Sequence, residues 1–100
     1  MSITTTLSDD QTVMNIVLPE RFNFDVHSEL RQACKDNKKI KKFILNLKNT
    51  NYIDSSALGM ILQLKEQAGD TNDSVQIVNA NGNVKEILEI ANFDKIIKIN

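Results

Sequence analysis

The sequence predicts one small α/β domain: a mixed, mostly parallel sheet of about four to five strands packed with about three to four helices. Three observations carry that expectation. Short apolar or β-branched runs alternate with longer stretches whose apolar residues recur at helical spacing. The intervening stretches are long enough for the right-handed crossovers that parallel strand pairs require. A length of 100 residues suffices for one modest core and not for two, so residues 1–100 are read as a single domain.

Each element has its own signal. Ser2 to Thr6 is Thr-rich and β-prone, and "LSDDQ" reads as a turn. "TVMNIVLP" alternates in part and stops at the only proline, which suits a strand paired with the first as a hairpin. "ERFNF" follows as a loop with two aromatics, Phe22 and Phe24. Asp25 is placed to cap a helix, "VHSELRQACKDN", whose Val26, Leu30, Ala33 and Cys34 share one face. The run Phe43 to Leu47 is nearly continuous, as in a strand covered on both faces. A helix over about Ser56 to Ala68 comes next, with Gly69 as its C-terminal stop. "SVQIVNA" is a further strand, "NGNVKEILEIANF" a third helix and "KIIKIN" a last short strand.

Composition removes several functional classes. Thirteen acids nearly cancel twelve bases, so no global field points to nucleic acid or an anionic membrane. The lysines of "KDNKKIKK" follow a helix and precede a strand, where cations suit a helix C-terminus and a solvated loop. No signal-like start or membrane-length apolar run is present, so the expected location is the cytoplasm. One cysteine, Cys34, excludes an internal disulfide and is expected to pack as a small hydrophobe. A single His with a single Cys offers no metal cluster, and no cofactor is expected.

The chemistry concentrates in "NTNYIDSSALGMILQLKEQAG", Asn49 to Gly69. On a helical projection, Ala57, Leu58, Ile61, Leu64 and Ala68 form the inner arc, with the Lys65 stem alongside. Ser56, Gly59, Gln63, Glu66 and Gln67 form the outer side, and Met60 and Leu62 lie at the flanks. An outer side holding Gly59, Met60 and two glutamines is short of charge and close to flat, which suits a partner surface. Met60 is equally placed for the edge of the core. Ahead of this helix, Asp54-Ser55-Ser56 stands where a strand end meets a helix N-terminus, with its free amides and positive dipole end. Asp54 or Ser55 can cap those amides, and no capping-box acid follows. A nucleophilic serine would need a base and an oxyanion hole, and His27, on another helix, is the only imidazole. Gly59, Gly69 and Gly82 stand too far apart for a phosphate loop. The expectation is therefore a protein that is not an enzyme.

At "FILNLKNTNYIDSSALGMILQLKEQA" the chain resembles the STAS domain family, of the anti-sigma factor antagonist type. The flanks "IVLPERFNFDVHSELRQAC" and "SVQIVNANGNVKEILEIANFDKIIKI" extend the likeness over essentially the whole chain. The resemblance implies a partner-switching module. In that family the serine after the Asp is phosphorylated by an anti-sigma factor or switch kinase of the GHKL ATPase type, and a PP2C-like phosphatase removes the phosphate. The unmodified form binds the kinase-like partner and frees whatever that partner held. Carried over by position, Ser55 is the acceptor, Asp54 the acid before it, Ser56 the neighbouring hydroxyl and Gly59 the second glycine. The expected partner surface is Asp54, Ser55, Ser56, Gly59, Met60 and Gln63. Ala57 replaces the family's first glycine, so the helix should start firmly, while its methyl would narrow the approach to the turn. Asp54 has two candidate roles: orienting the Ser55 hydroxyl or a magnesium ion in the kinase complex, or holding the loop through backbone amides. Two other readings stay open, a scaffold or transport-linked STAS subunit without phosphorylation and a small-ligand sensor.

Overall fold

The computed structural model describes residues 3–35 and 39–100. Strands β1 (Thr4–Leu7) and β2 (Val13–Val17) form an antiparallel hairpin. Asp10 closes its turn by accepting from the Ser8 hydroxyl at 2.8 Å and from the Thr12 amide at 3.1 Å and hydroxyl at 2.8 Å. Then come β3 (Arg21–Phe22), a single 3-10 turn (Phe24–Val26), α1 (His27–Lys35), β4 (Lys42–Asn46), β5 (Tyr52–Ile53) and α2 (Ser55–Gln67). The chain ends through β6 (Val75–Val78), α3 (Gly82–Ile90), a second 3-10 turn and β7 (Lys98–Ile99). The main sheet runs β1-β2-β4-β6-β7, parallel throughout except for the opening hairpin. This is the predicted small α/β architecture with a mixed, mostly parallel sheet.

The sheet is covered on one face only. Met14, Phe43 and Val75 pair across three strands, as do Ile16, Leu45 and Ile77, and all six are buried. Their sequence neighbours Asn15, Ile44 and Gln76 form a row on the other face, where Asn15 is exposed and the other two are half-buried. The expectation that Phe43–Leu47 is covered on both faces is therefore corrected. Side chains alternate along β4, and the helices pack against Phe43 and Leu45 rather than Ile44.

The stretch "ERFNF" is not wholly a loop. Arg21–Phe22 and Tyr52–Ile53 pair as a separate two-stranded parallel sheet, with Phe22 and Ile53 buried. The predicted cap at Asp25 is also corrected. The Asn23 carboxamide oxygen takes the Asp25 amide at 3.0 Å, and the 3-10 turn it caps leads directly into α1. Asp25 thus lies inside the first turn. The predicted end of this helix, at residues 36–37, lies outside the described residues.

Gly69 does stop α2. Its φ of 107° lets the Asp70 amide reach the Lys65 carbonyl at 2.8 Å and its own amide reach Glu66 at 3.3 Å, the paired bonds of a Schellman end. Cys34 packs in the core, and burial pushes its thiol up to about 11, so it behaves as an apolar filler.

Two buried polar contacts tie down the segment leading to α2. Thr50, 1% exposed, donates its hydroxyl to the Pro19 carbonyl at 2.8 Å. Asn81 caps α3 by accepting from the Val84 amide at 3.0 Å while its Nδ2 donates to the Thr50 carbonyl at 2.9 Å. Asn81→Asp should keep the cap and lose the donated bond, costing about 1 kcal/mol. Asn81→Ala loses both and should cost about 2 kcal/mol. Urea denaturation of the three chains checks the order.

Candidate functional site

Tyr52 and Ile53 carry the chain to the carboxyl end of the sheet, and α2 starts two residues later. Their approach is fixed from below. The amides of Asn51 and Tyr52 both donate to the Glu20 carbonyl, at 2.9 and 3.3 Å. The Arg21 guanidinium lies 4.5 Å from the centre of the Tyr52 ring, a surface contact beside the turn.

Asp54 is the N-cap of α2, in extended backbone with φ −129° and ψ −175°. Its Oδ1 accepts from the Ala57 amide at 3.1 Å and from the Ser56 hydroxyl at 2.6 Å. The Ser56 hydroxyl, then the Ala57 amide, hold the Asp54 carboxyl below its ordinary range, against the opposing effect of desolvation. Of the two roles open to Asp54, this geometry is that of holding the loop.

Ser55, the first residue of α2, is exposed. The turn's side-chain bonds join Asp54 to Ser56 and Ala57, leaving the Ser55 hydroxyl without a hydrogen bond among the described residues. The tip therefore has one engaged and one available hydroxyl.

The outer stripe of α2 divides where the projection left matters open. Ser56 is half-buried, and Gly59 and Gln63 are exposed on the same side of the helix. A Cβ built on Gly59 would meet nothing within 4 Å, so this position is a flat, open spot. Met60 is only 4% exposed and belongs to the core edge, packed toward α1. Its place in the expected partner surface is thereby corrected, because α1 covers the flank that the projection left between surface and core. Ala57 is fully buried, so its methyl points into the core and leaves the approach to the turn open, contrary to expectation. The residues missed from sequence are Thr50 and Asn81, which anchor the turn from behind; an Asn just before a helical pattern was the available signal for the second.

His27 stacks on Phe24, with ring centroids 4.9 Å apart, and no hydrogen bond joins it to Ser55. No group of three or more His, Cys, Asp or Glu able to hold a metal stands together among the described residues. No helix there is long and apolar enough to cross a membrane.

Comparison with known proteins agrees with this fold. The STAS domain family model matches residues 12–100. A STAS-domain containing protein of Pseudomonas aeruginosa is 36% identical over 101 residues, spanning 100% of both chains. A solved structure of a candidate anti-sigma factor antagonist from Thermotoga maritima superposes with a TM-score of 0.79 at 26% identity, covering 97% of this chain and 84% of that one. The unphosphorylated form of the anti-sigma factor antagonist SpoIIAA shares the fold, with a TM-score of 0.82 at 12% identity over 98% of this chain and 87% of its own.

A carboxyl group whose pKa is lowered on folding contributes stability above its unfolded value, near 3.8, and loses it as pH falls through the lower folded value. Asp54→Ala should cost about 1 kcal/mol at neutral pH. The gap to the native chain should close as acid takes the pH below that range, which denaturant melts across a pH series will read.

Proposed function

The chain belongs to the STAS domain family, and on that premise we propose that it is a partner-switching anti-sigma factor antagonist whose switch residue is Ser55. In its plain form it binds an anti-sigma factor or GHKL-type switch kinase through Ser55, Ser56, Gly59 and Gln63 at the exposed start of α2. The partner phosphorylates Ser55 and is released, and a PP2C-like phosphatase resets the chain. The observation that carries this reading is the division of labour at the turn: Asp54 is occupied by Ser56 and Ala57, while Ser55 is exposed with an uncommitted hydroxyl.

The physical consequences follow from where the phosphate would sit. It adds about −1.5 to −2 charges at the positive end of the α2 dipole, where a helix start tolerates an anion. The fold is therefore kept and the effect falls on the contact surface. There the phosphate stands next to the Asp54 carboxylate, and a closely packed partner would have to desolvate both. Such crowding is worth about 3 kcal/mol, roughly a hundredfold in affinity.

Two outcomes are expected. Intact mass of the chain purified from its own host should show a single-phosphate species that disappears in Ser55→Ala; a phosphate that persists would move the acceptor to Ser56. With the partner in hand, calorimetry should find the phosphorylated chain about a hundredfold weaker, and equal affinity would end the proposal. Gly59→Ala tests the surface separately. It should stabilise α2 by up to about 1 kcal/mol, since the position is open, yet weaken partner binding by placing a methyl on the flat spot.

A further inference from the structure

A groove runs along the outside of the domain between α1 and α2, and of the residues of the Ser55 partner surface only Gln63 borders it. At its base is a slot of about 40 Å³ whose apolar walls include Leu30, Met60 and Leu64. Above the slot the groove widens to about 500 Å³, with Arg31 and Lys35 on one bank and Gln63 and Gln67 on the other. The Gln67 side chain donates to the Cys34 carbonyl at 3.0 Å, pinning the two helices together at this end. At the other end His27 enters the groove with Phe24 stacked on it, and Phe24 is 65% exposed.

The charge of this groove departs from that of the chain. Acids and bases nearly cancel overall, yet neither slot nor groove is lined by a described Asp or Glu. Glu66 lies beyond the glutamine bank, on the outer flank of α2. Arg31 and Lys35 lie four residues apart on one helix, so they face the same way about one turn apart. They match two carboxylates with helical spacing on a ligand. The slot has room for roughly three water-sized groups, which fits the tip of one branched side chain and not an acyl chain.

We infer that the α1–α2 groove is a docking site for an acidic amphipathic helix of a protein partner, with one apolar anchor in the Leu30–Met60–Leu64 slot and carboxylates on Arg31 and Lys35. Exposed Phe24, stacked on His27, offers a further apolar contact beside the groove. The site does not depend on phosphate at Ser55, so it stands whether or not Ser55 is the switch.

The test is a methyl and amide NMR titration of the full chain with blocked synthetic helical peptides of about three turns. One peptide has glutamates flanking a single leucine, a second has lysines in their place, and a third has alanine for the leucine. The first should shift the Leu30, Met60 and Leu64 methyls, and the other two should bind at least about tenfold more weakly. Arg31→Glu with Lys35→Glu should weaken the first peptide by about tenfold or more. Lys85→Glu with Lys95→Glu, which makes the same change of charge elsewhere, should leave it within about twofold. Equal binding of the lysine peptide, or no peptide reaching these methyls, overturns the inference. So does decanoate shifting the same methyls while the glutamate peptide does not, since the occupant would then be a small anionic amphiphile.

Discussion

Everything at the functional end of this domain depends on the sheet being buried on one side only. The rows Met14–Phe43–Val75 and Ile16–Leu45–Ile77 need an apolar cover, and parallel connections between β2, β4 and β6 that share one hand, as such crossovers do, bring α1 and α2 to the same face. That arrangement fixes the inner stripe of α2, Ala57, Ile61 and Leu64, against the strands. Its opposite stripe is left as surface, and its N-terminus is aimed at the carboxyl end of the sheet.

The tip itself is held by few polar contacts. Thr50 is buried and spends its hydroxyl on Pro19; Asn81 joins the start of α3 to the Thr50 carbonyl; Asp54 holds Ser56 and Ala57. These bonds join three loops that are distant in sequence. A turn fixed in this way can carry a change of charge at Ser55 without loosening the fold, which a switch acting through surface contacts requires. The α1–α2 groove is kept in shape by other contacts, the buried stripe of Ala57, Ile61 and Leu64 and the bond from Gln67 to the Cys34 carbonyl.

Substitution of alanine for a glycine in the turn shows how the same residue reads differently at two levels. By local propensity Ala57 stiffens the start of the helix. Its methyl looked like an obstacle only while its direction was unknown. Once buried against the sheet, it adds to the core and leaves the outer approach unchanged.

The alternation of strand and helix signals, the Asp-Ser-Ser turn, the glycine stop after α2 and the inner positions Ala57, Ile61 and Leu64 were legible in the sequence, because each is set by contacts within a few residues or by the period of one element. Other features needed the third dimension. The β3–β5 pair has two residues per strand, too short for any period, and exists because Arg21–Phe22 and Tyr52–Ile53 are brought together from about thirty residues apart. Asn23 rather than Asp25 caps the turn into α1, because a 3-10 start shifts the free amides by two residues. Met60 lies at the border of the helical projection, where only the packing of α1 decides between core and surface. The strand Phe43–Leu47 read as covered on both faces because its sequence is apolar at every position but Asn46, and hydrophobicity alone does not state how many layers a fold supplies. Local periodicity determined what each segment is; the contacts between segments decided which of its faces are free.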